Sequence, residues 1–182
     1  MPRSDRTRRE EIGTPNGYDF RMAPQTPYTK DLDNREPLAA LRETTARIGG
    51  LARGWSQADF ERSYAPGKWS ARQILTHLAQ TELALGTRAR HALTTPDYKA
   101  QAFDQDKWMA RETSLDGRAA LDAFVAMAAM NHALFSSLSP ADRETTLSHP
   151  EYGALTVDWI VHQMAGHQIH HLKQLEEIAT RA

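Results

Sequence analysis

The sequence predicts an all-α fold, a four-helix bundle with a longer connection between its second and third helices. Three observations carry this. Four long segments place apolar side chains on one helical face, at about 100° per residue. Strong breakers separate them: Ala65-Pro66-Gly67-Lys68, Thr94-Thr95-Pro96 and Ser139-Pro140. No alternating pattern of useful strand length appears anywhere, and neither does an internal repeat.

Residues 1–36 stand apart. They hold four of the nine prolines (Pro2, Pro15, Pro24, Pro27) and few aliphatic side chains. They read as an extended N-terminal arm, laid on the domain through Tyr18, Phe20 and Tyr28 or left as a disordered tail. The bundle domain is 37–182. Its first helix, 37–53, has Pro37 at N1 and the stripe Leu38, Leu41, Thr45, Ile48 and Ala52, weakened near its end by Gly49 and Gly50. A short turn covers Ser56–Phe60. Ser70 caps the second long helix, 70–93, whose inner face carries Ile74, His77, Leu78, Thr81, Leu85 and Ala92. The connection 97–116 is polar, with Tyr98, Phe103 and Trp108 as anchors and a short helix near 105–112. Asp116 or Gly117 opens the third long helix, to 137, with the stripe Leu121, Phe124, Val125, Ala128, His132 and Phe135. A turn starts at Ser139-Pro140, and 149–153 is a loop. Thr156 caps the last helix, to 180, with Val157, Ile160, Met164, Leu175 and Ile178 in line.

The chain has 182 residues, 25% of them charged, and a formal net charge of −1. That size suits one domain with one sizeable core. The charge balance argues against a nucleic-acid coat protein. Arg3, Arg6, Arg8 and Arg9 in the arm are offset by Asp5, Glu10 and Glu11. No apolar run approaches the roughly 18 residues of a membrane span. The opening MPRSDRTRREE lacks the apolar stretch of a secretory signal. There is no cysteine, so disulfides, cysteine ligands and cysteine nucleophiles are excluded, and a cytoplasmic protein is expected.

Histidine is the unusual feature. There are eight, four of them in the last 21 residues: His162, His167, His170 and His171. His167 and His171 are i and i+4 and fall inside the apolar stripe of the last helix. That spacing lets two imidazoles bind one metal ion. Two core histidines bonded to carbonyls would show the same pattern. His77, on the inner face of the second helix, favours the metal, because a bundle gathers ligands from facing helices at its centre. Three buried imidazoles are otherwise costly, since each ring needs partners for both nitrogens. His132 also lies on an apolar face, as a fourth ligand, a partner behind a ligand or a satisfied core histidine. His162 and His170 read as rim or surface residues, and His91 and His149 as solvated. Arg88 points about 20° from His77, three turns along, and suits an anionic substrate or a snorkelling surface role. Thr81 and Gln80 are further pocket candidates. Glu82 lies about 140° around the helix from His77, which disfavours ligation. Asp104 and Asp106 lie in the connection over the bundle mouth, where each is either a base or a helix cap. Trp69 and Trp108 read as packing anchors and Trp159, off the inner stripe, as a dimer-interface residue.

At these residues the chain resembles the DinB-like superfamily of metal-binding four-helix bundles. The matching stretches are GKWSARQILTHLAQTE at 67–82, FDQDKW at 103–108, HPEYGALTVDWI at 149–160 and GHQIHHLKQL at 166–175. The resemblance covers 37–180 and leaves the arm outside. It puts the family's lone helix-two histidine on His77 and its H-x-x-x-H pair on His167 and His171. It implies a divalent metal ion, commonly zinc or nickel, and often a homodimer; three imidazoles by themselves also suit iron or copper. Several branches are thiol-dependent enzymes that use bacillithiol, mycothiol or glutathione.

The resulting expectation is a metal-dependent enzyme of the thiol S-transferase or hydrolase type, acting on a small molecule, with no nucleic acid and no membrane. A metal would activate an external thiol or a water in the same way. The alternatives are a non-catalytic metal-binding or stress-related interaction module, and a metal-free protein whose histidines are satisfied by hydrogen bonds.

Overall fold

The computed structural model describes residues 23–181. Eight helices and one hairpin follow in the order α1 (Thr29–Leu32), α2 (Pro37–Ala52), α3 (Gln57–Phe60), α4 (Ala71–Thr94), α5 (Gln105–Met109), α6 (Gly117–Ser137), α7 (Pro140–Arg143), β1 (Thr146–His149), β2 (Gly153–Thr156) and α8 (Val157–Thr180). The long helices α2, α4, α6 and α8 form the bundle. Going round it, α2 packs on α8, α8 on α4, α4 on α6 and α6 on α2.

Local chemistry starts each of the four long helices where the sequence predicts. Glu36 accepts hydrogen bonds from the Leu38 and Ala39 amides, and Pro37 follows it. Ser70 and Gln73 form a capping box on α4. Asp116 accepts from the Ala119 amide at 2.8 Å, and Thr156 from the Trp159 amide at 3.1 Å. The predicted boundaries hold to within a residue or two, except that the short helix near 105–112 ends at Met109. Helix α6 is long and apolar enough, by length and composition alone, to cross a membrane. Here it is a bundle helix, with Leu121, Phe124 and Phe135 in the core.

Two elements depart from the predicted architecture. The hairpin β1–β2 pairs Thr146 with Thr156 and His149 with Gly153. Its four-residue strands are too short for alternation to be legible in a sequence. The connection after α4 is stitched to it: Ser148 donates to the Tyr98 carbonyl and accepts from the Ala100 amide. Residues 1–22 of the predicted arm, with Tyr18 and Phe20, lie outside the described residues. Residues 29–32 form a helical turn rather than extended chain. Left-handed Asp33 and Asn34 then reverse the chain into α2, a conformation Asp and Asn tolerate.

The core is divided along the bundle axis. One apolar cluster gathers around Leu41, Leu85, Phe135, Ile160 and Met164. The other gathers around Ile48, Phe60, Leu75, Phe124 and Leu175. Each large side chain removed from water contributes roughly 1.5–3 kcal/mol. Between the clusters lies a buried polar belt of Thr44, His77, Gln80, Thr81, Glu82, Asn131, His167, Gln168 and His171. Glu82 accepts from Gln168 Nε2 and from Asn131 Nδ2, both at 2.8 Å, and Gln168 Oε1 accepts from Thr45 Oγ1 at 3.2 Å. These bonds join all four bundle helices.

The segment before α2 lies on α8. Lys173 pairs with Asp31 at 2.6 Å, and Trp159 Nε1 donates to the Gln25 carbonyl at 2.9 Å. Gly166 allows this approach: a Cβ there would sit 2.5 Å from the Tyr28 carbonyl oxygen. Backbone cannot yield as a flexible side chain can. Gly166→Ala is therefore expected to lower stability by about 1–3 kcal/mol. Amide exchange should speed up at 26–36 while the middle of α4 stays protected. Unchanged exchange at 26–36 would contradict this packing.

Candidate metal centre

His77 projects from α4, and His167 and His171 project from consecutive turns of α8. All three are at least 94% buried. Their Nε2 atoms converge: His77 to His167 is 2.9 Å, and His171 to His167 is 3.0 Å. The rings stand 71–81° to one another, so each presents an edge to one point.

Protons alone do not satisfy this cluster. A neutral imidazole carries one N–H and one in-plane lone pair. If His77 and His171 both donate, the single lone pair of His167 Nε2 must serve two donors. His167 then carries its proton on Nδ1, which is buried and has no partner. If His167 donates from Nε2 instead, its single N–H reaches only one neighbour, and the contact of about 3 Å to the other ring holds no hydrogen bond, because a protonated ring nitrogen cannot accept. A central cation would serve all three lone pairs at once. The donor set therefore fits a divalent ion. Gln174 Oε1 lies 2.8 Å from His171 Nδ1 and accepts a hydrogen bond from its N–H, which leaves the Nε2 lone pair directed inward.

Burial also keeps the rings neutral. It pushes His77 down to about 3, with the His171 charge adding to the effect. Burial likewise lowers His171 to about 4, against the raising influence of the Gln174 hydrogen bond. His167 is held well below the usual histidine range, first by burial and then by its histidine neighbours. Neutral imidazole is the form that ligates a metal.

A cavity of about 190 Å³ opens above His77 and His167. Thr81 and Arg88 of α4 line it, as two of the predicted pocket residues. Tyr28, Phe103 and Trp159 add aromatic walls, and His149 and Gln163 add polar ones. A second cavity of about 230 Å³, walled by Tyr64, Trp69 and Gln174, reaches His171 from the other side. Trp69 packs on His77 with ring centroids 4.9 Å apart.

Several predicted residues lie elsewhere. His132 is half-buried in a groove between α2 and α6, near Thr45 and Val125, away from the triad. Asp104 and Asp106 are exposed. Asp104 takes the capping role: it accepts from the Lys107 amide and pairs with the Lys107 ammonium. Gln80 is buried with both amide atoms unpartnered among the described residues, and it does not line the cavity. Two expectations are corrected, those for His162 and His149, and Trp159 is placed in the cavity wall. His162 is 97% buried, against Asp158, because α8 is surrounded by α1, α2, α4 and the hairpin. His149 is 93% buried in the cavity wall, because the hairpin folds over the bundle end. Trp159 lines the same cavity and bonds to Gln25, so its indole is engaged within the chain. His91 is exposed, as predicted, and stacks on Tyr98.

The lowered histidine values predict the acid response of the metal-free protein. Below about 6.5 the unfolded chain takes up protons that the folded rings refuse. Stability therefore rises with pH in this window and is lost on acidification, by about 1.4 kcal/mol per pH unit for each ring still unprotonated. Glu82, pushed up to about 7 by burial, has the opposite sign and loses stability as pH rises from 4.5 to 7, but it is one group against three. Urea midpoints of chelator-treated protein should fall steadily from pH 6.5 to 4.5. A flat profile would show that the rings are not buried neutral.

Comparison with known proteins agrees with this arrangement. Putative metal-dependent hydrolase OB0413 of Oceanobacillus iheyensis is 26% identical over 145 residues, covering 79% of this chain and 84% of the relative. Putative metal-dependent hydrolase OB0782 of the same organism is 28% identical over 122 residues, covering 66% and 71%. Among solved structures, the fold matches YfiT from Bacillus subtilis, described as a probable metal-dependent hydrolase with an unusual four-helix bundle topology. The TM-score is 0.73 at 19% identity, covering 93% of this chain and 96% of that one. It also matches the mycothiol-dependent maleylpyruvate isomerase with a TM-score of 0.64 at 17% identity, covering 83% of this chain and 63% of that one. The family model of the DinB superfamily matches residues 40–175, a span that contains all three converging histidines, and the chain belongs to that superfamily.

Proposed function

We propose that the protein is a divalent-metal-dependent enzyme of the hydrolase type, with His77, His167 and His171 as the ligands and zinc or nickel as the ion. The observation that carries this is the meeting of three neutral Nε2 atoms, with His77 and His167 at the floor of an open cavity. Two ligands lie four residues apart on one helix, and the third faces them from another helix. The residue set is that of open histidine sites, in which protein ligands leave positions for water or substrate. Bound there, a divalent ion supplies Lewis acidity that makes a water or an external thiol nucleophilic at neutral pH.

The chain's own residues would do the remaining work. Tyr28, Phe103 and Trp159 narrow the approach and reduce water access. Thr81 Oγ1 and the Gln163 side-chain oxygen are buried cavity atoms with no partner among the described residues, and they are free to orient a small substrate. The names of the curated relatives support hydrolysis. The mycothiol-dependent structural neighbour supports a second reading, thiol transfer. In that case the thiol comes from outside, since the chain has no cysteine.

The test uses zinc- and nickel-loaded protein on a panel of p-nitrophenyl esters and anilides, with and without glutathione or mycothiol. Hydrolysis should disappear on chelation, return with metal, and fall at least about 100-fold in His167→Ala. Turnover that requires both metal and thiol would select the transferase reading. Equal rates in wild type, chelated protein and His167→Ala would contradict both.

A further inference from the structure

We propose that the cavity above the histidine triad selects small molecules that carry an anionic group, a carboxylate or a phosphate, bound at its far end by Arg88 and His149. This names a substrate class for the proposed metal site and rests on that reading. The cavity is a channel between two helix stripes. On α4, His77, Thr81, Leu85 and Arg88 line it in order, spaced four, four and three residues apart. On α8, His167, Gln163 and Trp159 line it at four-residue steps in the opposite chain direction. Residues at these spacings share one helix face. The two stripes therefore run away from the triad together, and the lining passes from imidazoles to unpartnered polar atoms, then to apolar wall, then to a cation.

Helix geometry puts the α-carbons of His77 and Arg88 about 16 Å apart. Helical side chains lean toward the N-terminus, so the Arg88 side chain leans back toward the triad. Arg88 is half-buried, and one of its Nη atoms donates to the Gln101 carbonyl at 2.5 Å. Among the described residues no carboxylate lies within pairing distance of it. Glu151 also lines the cavity and its charge acts on both Arg88 and His149, but it is exposed and forms no ion pair with Arg88. Arg88 thus holds an unpaired charge and spare donors toward the cavity, which suits bidentate recognition of a carboxylate or phosphate.

His149 supplies the second donor. Its Nδ1 accepts from the Glu151 amide at 3.2 Å. The neutral ring must then carry its proton on Nε2, which has no partner among the described residues. Burial and the nearby Arg88 charge lower the proton affinity of this ring, against the raising influence of Glu151, so the two donors share one electrostatic neighbourhood.

Matched hydroxamates, titrated into the cobalt-loaded protein, test this through the visible spectrum. One series ends in carboxylate (succinyl, glutaryl and adipyl monohydroxamates), one in methyl at equal length, and one in phosphonate. An anionic tail should tighten binding by about tenfold or more at the best length. Arg88→Met should reduce that preference to within about twofold while leaving cobalt affinity unchanged, and Arg88→Lys should retain part of it. A larger gain for phosphonate than for carboxylate would identify phosphate as the anionic group. If cobalt binds but the tail makes no difference, or no hydroxamate perturbs the spectrum, this inference falls alone. If no cobalt binds, the metal reading falls and takes this one with it.

Discussion

Three imidazoles have been taken out of water at the middle of a bundle, and each must find partners inside the fold. That constraint shapes much of the molecule. It forces a polar layer between two apolar clusters, where a continuous aliphatic core would cost less. It fixes the relative placement of α4 and α8, because rings on separate helices approach to 2.9 Å. It also accounts for the Glu82 network beside the triad. A carboxyl group bonded to amides from α6 and α8, and through Gln168 to α2, resists sliding of any helix past another. The belt thereby sets a register that apolar side chains alone would leave loose.

Helices and connections divide the labour of the site. The long helices supply depth: the triad, Thr81, Gln163 and the cation at Arg88 lie on two stripes whose spacing the α-helix itself imposes. The elements outside the bundle supply the enclosure. Tyr28 comes from the segment ahead of α2, Phe103 from the connection after α4, and His149 from the hairpin. The hairpin and that connection are joined by the hydrogen bonds of Ser148, so His149 and Phe103 are positioned together. A superfamily that keeps the helical floor and varies these segments could keep one metal site and change what it accepts.

The sequence revealed most where helical periodicity governs. His77, His167 and His171 were identifiable because 100° steps place them on inward faces, and Ser70, Asp116 and Thr156 because capping chemistry is local. The periodic argument failed for His132. The apolar stripe of α6 is real, but at that point it meets a groove beside α2 rather than the triad. It failed for His162 because α8 is covered on nearly every side, so facing away from the stripe does not mean facing solvent. His149, Tyr28 and Gln163 carried no signal of a place in the cavity, although Tyr28 was legible as an anchor of the N-terminal segment. The first two reach the cavity through long-range packing of short segments. The third matters through an unpartnered atom that only the assembled cavity defines. Asp104 had two readings in the sequence, and its bond to the Lys107 amide shows the capping one.

The central claim is that the three rings converge in order to hold a metal, and X-ray absorption at the zinc edge of zinc-loaded protein tests it most directly. The account predicts one ion per chain, with three imidazole nitrogens at about 2.0–2.1 Å and the remaining donors light atoms. Zinc that is not retained, or is held with fewer than three imidazoles, would contradict it.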